Sequence, residues 1–311
     1  MPRAPRMMQR TSPAAGAAQA LAGVMRMRNL ALDATSYDLR ALTRPEIAAL
    51  GRESAPGAIV VAAPAREARA VGVTVHAGYD AFVAAPGSIV TQFAIAGLGA
   101  SALGAGALAR KVADVTGRPA AGIVAGYGES DLVGEALGGL VLFGAASRVQ
   151  QARQTLRRRM SEILVEATRG PAAVQELPPA AFATPEVATM VRLMNDPERR
   201  LDLLVGHSKG VVSLAAAFAR LMRSARNSPR LAPALARAAR AQIVTAGAVT
   251  AFPEPVRWVH QALGQLDALG RLNSQTDLPH EVVPFAGHHL NTALPLHLDL
   301  AAVLRRVLGA A

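Results

Sequence analysis

Leu201-Asp202-Leu203-Leu204-Val205-Gly206-His207-Ser208-Lys209-Gly210 is the stretch that decides the fold: an apolar run ends in Gly-x-Ser-x-Gly, and an Ala- and Leu-rich helical stretch follows. A strand that delivers a serine to a sharp turn before a helix is the context of a nucleophile elbow. Gly206 and Gly210 allow the strand and the helix to pack closely around a strained serine. Backbone N–H groups at the start of the helix favour a developing negative charge. The stretch therefore predicts that Ser208 is a nucleophile.

A serine nucleophile needs a base and a carboxylate from elsewhere in the chain. The base must lie within hydrogen-bond reach of the hydroxyl, and the carboxylate fixes the tautomer of the base and stabilises its cation. In α/β hydrolases, whose nucleophile lies on such an elbow, the chain order is Ser, then Asp or Glu, then His. Downstream of Ser208, Asp267 lies in an apolar, Gly-flanked setting, and Asp277 is the alternative. We expect Asp267 to be the acid, against the simpler interpretation of either residue as a turn or cap residue.

Two adjacent histidines are the candidates for the base. Residues 281–285 have the pattern of a short strand, which leads into Gly287-His288-His289, and a final helix is expected over 296–308. The two side chains point in different directions, so only one imidazole reaches the serine; we favour His288, which directly follows the glycine, over His289.

A metal site on this pair is the rival interpretation. Neighbouring histidines chelate one ion poorly, and no Asp or Glu lies beside them, which disfavours it.

The oxyanion formed during attack on a carbonyl needs backbone N–H donors. One comes from the residue after the nucleophile, here Lys209, and the second from a loop that follows an early strand of the sheet. Residues 119–126 have the pattern of a short strand and run into Gly126-Tyr127-Gly128. Gly126, Tyr127 and Gly128 are therefore our candidates, with a plain strand-to-helix turn as the alternative. The Lys209 side chain either steers an anionic substrate or is solvated, and His207 is interpreted as structural.

Strands alternate with helical stretches along the chain. Strand patterns occur at 57–63, 71–76 and 242–248, and a short helix is expected after the cap residue Thr43. This alternation predicts an α/β fold, a doubly wound, mostly parallel sheet with helices on both faces. Residues 81–109 carry no charge. Their small side chains favour a buried helix over 88–115, and a membrane span is the alternative.

The domain organisation follows from composition shifts. Residues 1–36 begin with scattered arginines among Ala, Met and Pro, and we expect a basic, flexible arm, with an amphipathic membrane anchor as the alternative. Residues 37–311 then form a single domain. Within it, the Pro- and Ala-rich segment 171–185 is interpreted as a surface loop or a lid over the site.

Composition limits the classes of function. The 311-residue chain is 51% apolar, contains no Cys and has a formal net charge of +11. Without Cys, disulfides, thiolate zinc sites and a cysteine nucleophile are excluded, and we expect a cytoplasmic protein, with membrane association as an alternative. The positive charge is almost all Arg and is spread along the chain. Because aromatic residues make up only 4%, nothing favours base stacking, and nucleic acid is not the expected partner.

The chain resembles the α/β-hydrolase superfamily, and within it the lipase class 3-like serine hydrolases. The residues that carry this resemblance are Gly206-His207-Ser208-Lys209-Gly210, the strand end Thr245-Ala246-Gly247-Ala248, Val259-His260 leading to Asp267, and Gly287-His288-His289. They span roughly residues 120–300. The departures are Lys209, where such lipases carry a small or apolar residue, a short interval from Asp267 to the histidines, and an unusual oxyanion loop.

The resemblance implies a sheet of the α/β-hydrolase type and a Ser-Asp-His triad. It also implies hydrolysis of a small-molecule or lipid ester through an acyl-enzyme, with neither a metal nor an organic cofactor. Two other functions remain open at this point. One is a non-catalytic protein of the same fold that binds a membrane or polymer surface. The other is an acyltransferase that uses the same three residues on an acceptor other than water.

Overall fold

Eight strands form one sheet in the computed structural model, which describes residues 29–52, 54–67, 71–86, 89–126 and 184–309. The strands are β1 (Ile59–Ala62), β2 (Val73–His76), β3 (Gln92–Ile95), β4 (Ala120–Ile123), β5 (Leu203–His207), β6 (Gln242–Ala246), β7 (Val259–Gly264) and β8 (Glu281–Val283).

The helices lie mainly between these strands. They are α1 (29–36), α2 (Arg44–Leu50), α3 (Tyr79–Ala84), α4 (Ala102–Thr116), α5 (Pro185–Asn195), α6 (Lys209–Asn227), α7 (Ala232–Ala238), α8 (Ala268–Leu272) and α9 (Leu300–Leu308). The start of α2 matches the sequence prediction: Thr43 and Glu46 form a capping box, which satisfies two backbone N–H groups at the helix end.

The sheet is mostly parallel. Its strand order is β2-β1-β4-β3-β5-β6-β7-β8, and only β1 runs antiparallel to its two neighbours. The elbow strand β5 is central, with parallel partners β3 and β6 on its two sides. Because the carboxyl ends of parallel strands meet at one edge, the segments that follow β3, β5, β6, β7 and β8 all emerge on the same edge as Ser208.

Two apolar cores, one on each face, hold the helices to the sheet. Successive strand residues point to opposite faces, so Leu204 packs in the core with α5, α6 and α7, whereas Val205 packs in the core with α4 and α9. Phe93 and Phe218 are fully buried in the first of these cores. The predicted α/β class, with a mostly parallel sheet covered on both faces, is confirmed.

The helix predicted over 88–115 is wrong in its first half. Residues Gln92–Ile95 form the fully buried strand β3, and the helix α4 begins only at Ala102, where the Ser101 hydroxyl accepts the Leu103 N–H. Between them, Gly99 has a positive φ of 71°, which interrupts regular structure. No helix in the described ranges is both long and apolar enough to cross a membrane.

The described fold begins before Tyr37. Residues 29–36, assigned to the flexible arm, are helical, and Asp33 within them is fully buried. At the other end, α9 begins at Leu300 rather than 296, because the Asp299 carboxylate caps it by accepting the Ala302 N–H. Residues 1–28, Tyr127, Gly128, and the loop or lid over 171–183 lie outside the described residues, whereas residues 184 and 185 are the cap and first residue of α5.

Candidate active site at the carboxyl edge of the sheet

Ser208 occupies a sharp turn between β5 and α6. Its backbone has φ 53° and ψ −121°, a conformation that is costly for a residue with a side chain. A Cβ on Gly206 would lie 2.9 Å from the Val211 Cα, and one on Gly210 would lie 2.1 Å from the Ile95 carbonyl oxygen. Both glycines are therefore required for the close approach of strand and helix that holds the serine in this conformation.

Ser208, His288 and Asp267 form one hydrogen-bonded chain. The His288 Nε2 lies 2.8 Å from the Ser208 Oγ, and its Nδ1 lies 2.8 Å and 3.0 Å from the two carboxylate oxygens of Asp267. The Asp267 side chain is fully buried. Because a carboxylate can only accept, His288 donates its Nδ1–H to Asp267, which leaves the Nε2 lone pair facing the serine hydroxyl.

The acid and the base are held by the segments that follow β7 and β8. Asp267 caps α8, since its carboxylate accepts the Gly270 N–H at 2.5 Å. The two segments are tied to each other by the Leu266 N–H, which donates to the Ala286 carbonyl at 2.8 Å. These backbone contacts fix the relative positions of the carboxylate and the imidazole.

The structure separates the alternatives that the sequence left open. His289 turns away from the serine and donates its Nε2–H to the Pro295 carbonyl at 3.0 Å. Asp277 lies exposed in a turn. Of the two histidines considered, only His288 bonds to the serine, and of the two carboxylates, only Asp267 bonds to His288.

The Lys209 side chain is paired with a carboxylate and is largely buried. Its Nζ is 3.1 Å from the Oε1 of Glu186, a fully buried carboxylate in the first turn of α5. The Ser213 hydroxyl also donates to that oxygen, at 3.2 Å. The interpretation of this side chain as simply solvated is therefore corrected: Lys209 links the first turn of α6 to α5.

The sheet order moves the candidate oxyanion loop. The neighbour of β5 is β3, whereas β4, which leads to Gly126, lies one strand further away. The Gly126 N–H donates to the Ala100 carbonyl at 3.2 Å, and its own carbonyl accepts the Gly99 N–H at 3.1 Å. Gly126 is thus engaged with the loop after β3, and Tyr127 and Gly128 lie outside the described residues.

The loop after β3, residues 96–101, passes directly beside the serine. A Cβ on Gly97 would lie 3.3 Å from the Ser208 Cβ. The Gly97 N–H donates to the Tyr37 hydroxyl at 2.5 Å, whereas the Leu98 N–H has no hydrogen-bond partner among the described residues. Sequence reasoning missed this loop because it placed Phe93 and Ile95 in a helix; their strand-forming side chains before two close glycines were the available signal.

Comparison with protein-family models, with curated proteins and with solved structures gives no match to this chain. In the described part of the chain, no group of three or more His, Asp or Glu side chains is placed to hold a metal ion.

His207, the residue before the serine, is fully enclosed. Burial, with the proximity of His288 as the next cause, lowers the pKa of His207 to about 3, so its imidazole is neutral near pH 7. Its Nε2 lies 2.9 Å from the His288 carbonyl oxygen and its Nδ1 lies 3.0 Å from the Tyr37 hydroxyl. Tyr37, like the loop after β3, is a part of this site that sequence reasoning missed.

The arrangement has the parts that acyl transfer requires. It contains a hydroxyl bonded to an imidazole, a buried carboxylate behind that imidazole, and backbone N–H groups at the N-terminus of a 19-residue helix. An imidazole in this position can take a proton from the hydroxyl, and the carboxylate can stabilise the resulting cation.

Proposed function

We propose that this protein is a serine hydrolase that cleaves a carboxylic ester through an acyl-enzyme formed on Ser208. The hydrogen-bonded chain Ser208–His288–Asp267, on a strained turn between β5 and α6, carries the proposal. Strain of this kind is maintained only when surrounding structure enforces it, and it clusters at functional sites.

In the first half of the reaction the Ser208 Oγ attacks the ester carbonyl. His288 Nε2 accepts the hydroxyl proton as the C–O bond forms, and it then delivers that proton to the leaving alkoxide as the ester bond breaks. Asp267 holds the imidazole in the tautomer with Nδ1–H and stabilises the imidazolium, without becoming protonated itself.

The tetrahedral oxyanion requires two donors that are in place before the reaction. We assign one to the Lys209 N–H, at the first position of α6, and the other to the Leu98 N–H in the loop after β3. The buried pair of Lys209 with Glu186 supports the first assignment, because it anchors the residue that supplies the amide.

In the second half, water attacks the acyl-enzyme with His288 as general base, and the acid is released. An acceptor alcohol in place of water would give acyl transfer with the same groups. The acceptor therefore decides between hydrolase and acyltransferase.

An apolar acyl group is the substrate class that the surroundings of the base favour. Phe285 and Leu296 are bulky residues with positive φ, 54° and 61°, and their side chains are 74% and 54% exposed. The Gly287 N–H donates to the Leu296 carbonyl at 2.5 Å, so both lie next to the loop that carries His288. Apolar side chains held outward by costly backbone conformations suit contact with an apolar ligand.

We further assign the sheet to the α/β-hydrolase type. The assignment is supported by the elbow between β5 and α6, by the acid after β7 and the base after β8, and by the chain order Ser, Asp, His.

Labelling with a fluorophosphonate, which modifies activated serines, tests the proposal. We expect the native protein to be labelled and Ser208→Ala to lose the label. Ser224→Ala, on the same helix α6 but remote from the elbow, is the matched control and should label like the native protein. A native protein that does not react, or a Ser208→Ala variant that still does, overturns the proposal and favours a non-catalytic role.

A further inference from the structure

A buried hydrogen-bond chain behind the site joins the candidate oxyanion loop to the loop that carries the base. Gly97 N–H lies 2.5 Å from the Tyr37 hydroxyl, the hydroxyl lies 3.0 Å from the Nδ1 of His207, and the Nε2 of His207 lies 2.9 Å from the His288 carbonyl. The Tyr37 and His207 rings also meet edge to face, with centroids 5.3 Å apart. Neither ring contacts solvent appreciably.

Every proton in this chain has only one consistent place. A carbonyl can only accept, so His207 donates its Nε2–H to His288, and the neutral imidazole then accepts at Nδ1. Tyr37 must therefore donate its hydroxyl proton to His207, and its oxygen accepts the Gly97 N–H. Burial raises the pKa of Tyr37 above its usual range, which keeps the phenol protonated as this role requires.

The segment that supplies Tyr37 contacts the same two loops at further points. Asp33 accepts both the backbone N–H and the hydroxyl of Ser101, at the far end of the oxyanion loop. The Ser36 carbonyl accepts the Leu290 N–H at 2.8 Å, just after the base. Residues 33–37 therefore bridge the oxyanion loop on one side and the base loop on the other.

We propose that Tyr37 and His207 are positioning residues that set the oxyanion loop and the base loop at a fixed distance across Ser208. The proposal rests on the proposed function. Tyr37 withdraws the Gly97 N–H from the site, which leaves the neighbouring Leu98 N–H to face the reacting carbonyl. His207 fixes the backbone of His288, and with it the distance from the imidazole to the serine.

A positioning role predicts a loss of rate without a matching loss of binding. In Tyr37→Phe the ring packing remains but the hydroxyl that joins Gly97 to His207 is gone. We expect kcat for a p-nitrophenyl ester, and the rate of fluorophosphonate labelling, to fall by about tenfold to hundredfold with KM nearly unchanged. Tyr79→Phe, which removes a hydroxyl from the remote helix α3, is the matched control and should retain the native rates.

The side chain of His207 gives a graded test. In His207→Gln the amide NH2 can still donate to the His288 carbonyl, whereas in His207→Leu it cannot. We expect kcat to be highest in the native protein, lower in His207→Gln and lowest in His207→Leu. We also expect that adding Tyr37→Phe to His207→Leu lowers kcat little further. If Tyr37→Phe destabilises the fold but leaves kcat and labelling unchanged, the role is merely structural and the proposal is wrong.

Nitrogen-15 NMR of the imidazoles tests the chain independently of any activity. We expect His207 to show the Nε2–H tautomer at pH 7 and to remain neutral at pH 5. An Nδ1–H tautomer or a protonated ring at pH 5 overturns the proposal, even if the serine labels normally. Conversely, a native protein that does not label but shows the expected tautomer rejects the proposed function and keeps the hydrogen-bond chain.

Discussion

At the scale of single residues, the site depends on which histidine faces the serine. His288 bonds both to Ser208 and to Asp267, whereas His289, the next residue, donates to the Pro295 carbonyl. Adjacent residues in a loop point in different directions, so one can act as a base while the other stabilises the loop. The chemistry is therefore assigned to one imidazole of the pair.

Substitution of each histidine by glutamine separates the two roles. His288→Gln removes the proton acceptor, and we expect kcat for ester hydrolysis to fall by at least about a thousandfold. His289→Gln retains an amide NH2 that can donate to the Pro295 carbonyl, and we expect nearly native activity. Hydrolysis of a p-nitrophenyl ester measures both. Equal losses in the two variants would contradict the assignment of the base.

At the scale of elements, the elbow depends on how closely α6 approaches β3. Gly210 lies in the first turn of α6, where the Ile95 carbonyl at the end of β3 occupies the space that a Cβ would need. Both contacting groups are backbone, so neither can move aside as a flexible side chain would. The packing of helix on strand thus fixes the direction in which the serine is presented.

Gly210→Ala tests this packing directly. We expect the free energy of unfolding to fall by about 1–3 kcal/mol, because the added methyl group overpacks a backbone contact. Gly78→Ala is the matched control, since nothing lies within 4 Å of its Cβ position. Urea denaturation should show that variant to be as stable as the native protein or slightly more stable. A Gly210→Ala protein of native stability would refute the close contact.

At the scale of the whole molecule, the buried histidine makes stability depend on pH. The pKa of His207 is about 3 in the folded protein and near 6.5 in an unfolded chain. Between pH 3 and pH 6.5 the unfolded chain binds a proton on His207 that the folded protein does not bind. The contribution of the neutral His207 to the free energy of unfolding is therefore complete above pH 6.5 and is lost as the pH falls toward 3. Over the whole interval it amounts to about 5 kcal/mol.

Comparison of native protein with His207→Gln isolates this contribution. We expect the difference in the free energy of unfolding between the two proteins to be constant above about pH 6.5 and to shrink as the pH is lowered. Burial raises the pKa of Asp33 to about 6, so Asp33 changes the free energy of unfolding with pH in the opposite direction. This effect is the same in both proteins and cancels in their difference. Urea denaturation between pH 5 and pH 8 measures the difference, and parallel curves would contradict the neutral state of His207.

The amino-acid sequence by itself determined the local features of this protein. The apolar run before Gly206, the two glycines around Ser208 and the cap at Thr43 act within a few residues, so their geometry can be derived from propensities and steric limits. The alternation of strands and helices likewise predicted the α/β class. The order of Ser208, Asp267 and His288 along the chain indicated which residues to bring together, although not that they would meet.

Only the tertiary structure decided what lies beside the serine. Strand order is a long-range property, and no local pattern states that β3 rather than β4 is the neighbour of β5. The sequence therefore points to the loop at Gly126 and not to the loop after β3. The pairing of Lys209 with Glu186 and the contact of Tyr37 with His207 join residues far apart in sequence. Such contacts exist only once the helices pack on the sheet, because burial fixes partners that spacing along the chain does not specify.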